Sequence, residues 1–133
     1  MVCEIFAAGA LREYKYVVTL SICEGRVMLS RHRARTTWES QGSHVEAGES
    51  AIEAAKRELY EESGAVEYDI VPLCDYRVGE ANGAVFVAHI HKLGVLPESE
   101  IAEVRFFDGL PENLTYPQIT PYLYAEAVRQ GMA

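Results

Sequence analysis

A glycine-bearing loop that runs into a short capped helix, with carboxylates gathered along one flank, constrains this chain more than any other stretch. It occupies residues 42–65, Gly-Ser-His-Val-Glu-Ala-Gly-Glu-Ser-Ala-Ile-Glu-Ala-Ala-Lys-Arg-Glu-Leu-Tyr-Glu-Glu-Ser-Gly-Ala. Ser50 followed by Glu53 has the spacing of a capping box, and Ser63-Gly64 supplies a stop, because glycine accepts the left-handed backbone just past a helix end. The pattern predicts a helix over 51–62. At about 100° per residue, Ile52, Ala55 and Leu59 share one stripe, while Glu58 and Glu62 lie one turn apart on its flank with Glu61 beside them. Like charges this close repel unless a cation sits among them, and carboxylate oxygens are the ligands that hard divalent cations prefer. A Mg2+ or Mn2+ site is one physical reading. The other is a surface helix whose glutamates are solvated and paired with Lys56 and Arg57.

The whole string, with its spacing, decides between them. Glu49, Arg57-Glu58-Leu59, Glu61-Glu62 and Gly64 stand at the fixed positions of G-x5-E-x7-R-E-U-x-E-E-x-G-U, U being a bulky aliphatic residue, so the run resembles the Nudix box. Ser43 replaces the opening glycine and Ala65 the final aliphatic residue. The resemblance implies an α/β chain with the Nudix fold, a mixed β-sheet sandwiched between helices, in one domain over residues 1–133. It also implies hydrolysis of the pyrophosphate in a nucleoside diphosphate linked to another group. The Mg2+ or Mn2+ would be held by Glu58, Glu61, Glu62 and the Gly42 carbonyl, and Glu49 and Arg57 would pair to orient the catalytic carboxylates. Members of the family recruit the base from inside or outside the box, and Glu61 and Glu58 are candidates within it. Residues 78–83 carry neither the proline of ADP-ribose hydrolases nor the tyrosine of dinucleoside-polyphosphate hydrolases, which turns the resemblance toward MutT-like enzymes acting on a nucleoside triphosphate. Because a glycine at position 43 would let the loop turn tightly toward the metal, Ser43 also motivates a second expectation, a catalytically weak domain that binds nucleotide as a sensor.

Composition narrows the partners. With 133 residues, 49% hydrophobic and 24% charged, the chain has the size of one domain with a real core. A net charge of −8 disfavours stable binding to nucleic acid or to an anionic membrane, so a phosphorylated substrate calls for a cation. Cys3, Cys23 and Cys74 are widely spaced and odd in number, which suits reduced thiols in the cytoplasm better than disulfides or zinc. Residues 1–11 carry no basic leader and too short an apolar run to span a bilayer, so neither export signal nor anchor is expected.

Along the chain, residues 14–23 and 26–30 read as a hairpin turning at Glu24-Gly25, and deliver a basic cluster, Arg31, His32, Arg33 and Arg35, just before the acidic helix. Arg31 and Arg33 are the candidate phosphate contacts; Trp38 fits either the core or a wall of the site. Residues 66–78 suggest two strand pieces, and Asn82-Gly83 predicts a type I′ turn into a strand over 84–91. His89 and His91 share a face of that strand without a third nitrogen or sulfur ligand at a suggestive spacing, so they are expected to contact base or solvent. An acidic loop then enters a strand over 96–107, where the resemblance implies that one of Glu98, Glu100 and Glu103 serves the metal or the attacking water. A closing helix is expected over 118–129.

Overall fold

The computed structural model describes residues 2–133. In chain order the elements are β1 (Cys3–Ala7), β2 (Tyr16–Cys23), β3 (Arg26–His32), β4 (Gln41–His44), α1 (Ala51–Ser63), β5 (Ala65–Val78), β6 (Ala81–Leu93), β7 (Ile101–Phe107) and α2 (Thr120–Arg129). One seven-stranded mixed sheet runs β1-β5-β6-β2-β3-β7, with β4 attached to β2; β2 and β6 are parallel, and the other pairs are antiparallel.

Strand alternation gives the sheet two covered faces. From β2 and β6, Val17, Ala84 and Phe86 pack with Ala54 and Ala55 of α1, and Ala88 joins Met28 around Leu59. Their neighbours Leu20, Ile22, Val85 and Val87 point the other way and cluster with Leu123 and Ala127 of α2. The expected sandwich of a mixed sheet between helices is therefore present. β2 divides its outer edge between two partners: Tyr16 to Thr19 pair with β4, whereas Ser21 to Cys23 pair with β3. The sheet forks there, and the fork lies beneath the C-terminal half of α1.

The β2–β3 hairpin turns where expected, with Glu24 and Gly25 at φ 51° and 77°, both left-handed as a tight hairpin requires. Asn82-Gly83, in contrast, is not a turn. Both residues lie inside β6, and the chain reverses at Gly79-Glu80, since Val78 pairs with Ala81. Tertiary contacts account for the Asn-Gly pair: the Asn82 amide donates to the Arg12 carbonyl at 2.6 Å, and a Cβ on Gly83 would fall 2.0 Å from the Tyr76 ring. The two pieces expected over 66–78 are one 14-residue strand whose register shifts near Tyr68 and between Pro72 and Cys74, where proline has no N–H for the ladder. The closing helix begins at Thr120 instead of 118, with Ile119 as its N-cap and Pro121 in its first turn. Trp38 is a core residue, 5% exposed and edge-on to Phe107. His89 and His91 face outward, bonded to the Met132 carbonyl and Asp69. Among the described residues no helix is long and apolar enough to cross a membrane.

Candidate active site

The loop into α1 is fixed at both ends of the helix. Glu53 N–H donates to Ser50 Oγ at 3.2 Å and Ser50 N–H to the Glu53 carboxylate at 2.9 Å, which closes the capping box; Gly64 adopts φ 76° and donates to the Tyr60 carbonyl. α1 runs one residue further than the pattern predicts, to Ser63, whose Oγ donates to the Leu59 carbonyl.

Arg57 is the hub of the site. Its guanidinium grips Glu49 in a bidentate pair at 2.7 and 3.0 Å, donates to Glu58 at 2.7 Å and to the His44 carbonyl at 3.2 Å, and lies 3.3 Å from Glu46 and 3.5 Å from Glu61. Glu46 is a member of this cluster that the sequence reading did not single out; an acid three positions before Glu49 was its only signal. Glu62, one turn beyond Glu58, accepts from the Gly42 N–H at 2.7 Å.

The charges are unequal. Four carboxylates share one guanidinium and a fifth, Glu62, has only an amide. Arg57 holds the Glu49 carboxyl down at about 2. Burial pushes Glu58 above the usual carboxylate range, with Arg57 opposing it. Burial pushes Glu62 up to about 8, aided by the repulsion of Glu58 and only partly offset by the Gly42 amide. Among the described residues, no three side chains of His, Cys, Asp or Glu stand already gathered as a cage. The donor set nevertheless fits a hard divalent cation: all its ligating atoms are oxygens, and the cluster carries more negative charge than Arg57 can balance.

This arrangement fixes how the cation-free protein responds to pH. The folded-state value of Glu62, about 8, lies above its unfolded value near 4.5, so its contribution to stability is complete below pH 4.5 and is lost as pH rises through 8. Glu49 and Glu126, both held at about 2, finish titrating below that window. Without added metal, the unfolding free energy should therefore fall between pH 5 and pH 8, by up to about 1.4 kcal/mol per pH unit in chemical denaturation, and Glu62→Gln should flatten the decline.

The backbone strain expected at Ser43 sits one residue earlier. Gly42 adopts φ 147°, and a Cβ there would lie 2.1 Å from the Val17 carbonyl oxygen. Ser43 is a regular residue of β4, paired with Val17, side chain exposed, and it is not among the residues with positive φ. The observation that motivated the sensor reading thus loses its physical basis. Ser43→Gly should leave turnover within about twofold of the parent, measured as kcat/KM, since the backbone there is unstrained and the one side-chain hydrogen bond lost, to His44 Nδ1 at 3.4 Å, is exposed.

A cavity of about 600 Å³ opens beside the helix on the α2 face of the sheet. Gly42 and Glu62 form one wall, and Tyr16, His44 and Tyr116 supply rings, the first two 4.8 Å apart between centroids. From the basic stretch, His32 and Arg35 line it, whereas Arg31 and Arg33 do not. Arg31 bonds Glu103 of β7 at 3.4 Å and the Arg35 carbonyl, and Arg33 donates to the Ser99 carbonyl at 2.6 Å, so both brace β7 and the segment that enters it. Glu103 faces Arg105 and Arg31, which hold its carboxyl below the usual range. Of the three candidate acids Glu98, Glu100 and Glu103, Glu100 lines the cavity, bonded to His32 at 2.9 Å. Period-two alternation already placed His32 opposite Arg31 and Arg33, and was the missed signal.

A carboxylate-bearing helix beside a cavity of about 600 Å³ on a sandwiched mixed sheet is matched by hydrolases of phosphorus-containing anhydrides. A family model, the NUDIX domain, matches residues 13–109, and the chain belongs to the Nudix family. The structure of the Bacillus subtilis pyrophosphohydrolase BsRppH superposes with a TM-score of 0.81 at 25% identity, covering 97% of this chain and 91% of that one. A UDP-X diphosphatase gives 0.71 at 24% identity, covering 94% and 67%, and a MutT NUDIX hydrolase from Burkholderia pseudomallei gives 0.68 at 22%, covering 86% and 98%. No curated protein matches the sequence.

Proposed function

We propose that the chain hydrolyses the diphosphate of a nucleoside diphosphate linked to another group, with a nucleoside triphosphate of the MutT type as substrate and Mg2+ or Mn2+ as cofactor. The observation that carries this reading is the cluster around Arg57, with Glu62 extending it to the cavity wall through Gly42. Glu58, Glu61, Glu62 and the Gly42 carbonyl are the proposed ligands. When bound there, a divalent cation supplies charge neutralisation for the diphosphate and acidifies a water.

The remaining work falls to the chain's own groups. Arg57, held by Glu49, fixes the Glu58 carboxylate. Glu61 is the proposed proton acceptor, because Glu58 and Glu62 are committed to Arg57 and Gly42 while Glu61 is half exposed and meets Arg57 only at 3.5 Å. Water attacks phosphorus, its proton passes to Glu61, and the bond to the bridging oxygen breaks, its electron pair leaving with the departing phosphate group. The cavity, within the roughly 300–1,000 Å³ usual for small-molecule sites, takes the nucleoside against Tyr16 and His44. Arg35 is the cavity's own cation for a phosphate, with the His32 ring in the same lining, a role the placement of Arg31 and Arg33 makes indirect. The three cysteines are free thiols, which supports a reducing, cytoplasmic setting.

The similar structures include a pyrophosphohydrolase, a UDP-X diphosphatase and an ADP-ribose pyrophosphatase, so the panel that tests this reading spans those chemistries. Phosphate and pyrophosphate release is measured with Mg2+ over nucleoside triphosphates, nucleoside diphosphate sugars, ADP-ribose and dinucleoside polyphosphates. Nucleoside triphosphates should give the highest kcat/KM; a preference for another class would overturn the substrate assignment, and no turnover of any would overturn the activity.

A further inference from the structure

Of the polar residues buried between the sheet and α1, three are linked to one another. Ser21 is 1% exposed, and Ser30 and Gln41 are 0% exposed. They form one continuous chain of hydrogen bonds. Ser21 Oγ donates to Gln41 Oε1 at 2.7 Å, Gln41 Nε2 donates to Ser30 Oγ at 2.9 Å and to the Met28 carbonyl at 3.2 Å, and Ser30 Oγ donates to the Glu62 carbonyl at 2.7 Å. Both hydroxyl protons and both amide protons are used, so the direction of every bond is set by the donor inventory.

The chain occupies the fork where β3 parts from β2 and β4 takes its place. One hydrogen bond, to the Met28 carbonyl, would answer the needs of the fork. The rest of the network continues to α1 and ends on a single residue, Glu62. Its carbonyl is held by Ser30, and its carboxylate is held by the amide of Gly42, the residue that follows Gln41. Both holds on Glu62 therefore originate at Gln41. Apolar side chains of the same shape would be as stable or more so, because buried polar groups gain little net energy even when paired; what a fully satisfied network adds is a unique arrangement.

We propose that Ser21, Gln41 and Ser30 are positioning residues that set the separation of Glu62 from Gly42, and with it the alignment of the α1 carboxylates on the cavity. The proposal rests on the reading of Glu62 given above. Its test needs a readout independent of turnover, and the Gly42 amide provides one. In metal-free protein, amide hydrogen exchange of Gly42 is followed by NMR in the parent, Ser30→Ala, Ser21→Ala and Val85→Ala. Val85 is 0% exposed on the α2 face and serves as a destabilised control. At matched global stability, Ser30→Ala should accelerate Gly42 exchange about tenfold, and with substrate should lower kcat about tenfold while KM stays within about twofold. Val85→Ala should do neither. Ser21→Ala removes only the far donor and should show both effects at about threefold, which keeps the test open where Ser30→Ala fails to fold. Gly42 exchange and kcat no different from the Val85→Ala control would overturn the proposal. A parent chain inactive on every nucleotide would remove the functional reading, while the Gly42 exchange still decides the structural half.

Discussion

Glu62→Gln should abolish turnover while leaving the protein at least as stable as the parent near pH 7. The two halves of that result have one cause. Burial pushes the Glu62 carboxyl up to about 8, so the cation-free protein carries it largely protonated at neutral pH, and glutamine reproduces that neutral shape, oxygen facing the Gly42 N–H included. Stability therefore gains or holds. Activity requires the charged form as a ligand, and loss of a carboxylate ligand is expected to raise the barrier by roughly 3 kcal/mol or more, at least about a hundredfold in kcat. Steady-state kinetics and thermal denaturation of the same preparation check both halves. A variant that loses activity only because it unfolds would contradict the account.

The second large effect is on folding. Gly42→Ala places a Cβ 2.1 Å from the Val17 carbonyl oxygen and 2.9 Å from the Val18 Cα, both backbone atoms of the central strand β2, and forces a non-glycine residue to φ 147°. Neither clash has a flexible side chain to absorb it. The variant should lose about 2–4 kcal/mol in chemical denaturation, or fail to accumulate folded, and whatever folds should have lost the Gly42 to Glu62 contact. Ser43→Ala, one residue on and exposed, is the matching control and should be near neutral.

These two predictions show where the sequence was informative. The helix ends, the carboxylate flank and the Glu49–Arg57 pair follow from local chemistry: caps, period 3.6 and opposite charges eight residues apart across a loop–helix junction. Local chemistry failed wherever tertiary contact set the conformation. Asn82-Gly83 has the composition of a turn, but its glycine makes room for Tyr76 from the neighbouring strand. Glycine at position 42 answers to a carbonyl on β2, which neither residue 42 nor residue 43 announces. The basic stretch was legible as a cluster; which of its members reach the cavity depended on strand alternation and on the partners that β7 and the segment before it bring to Arg31 and Arg33. The Ser21–Gln41–Ser30 chain was invisible, since its three members are far apart in sequence and meet only because the sheet forks.

The central claim is that the carboxylates of α1 hold a divalent cation on the wall of the cavity. Its most direct test is a titration of Mn2+ into the protein in the presence of a non-hydrolysable nucleoside triphosphate analogue, with free Mn2+ followed by electron paramagnetic resonance, for the parent and for Glu58→Gln/Glu62→Gln. The account predicts saturable binding in the parent that is weakened at least about tenfold in the double variant. Identical isotherms for the two proteins would contradict it.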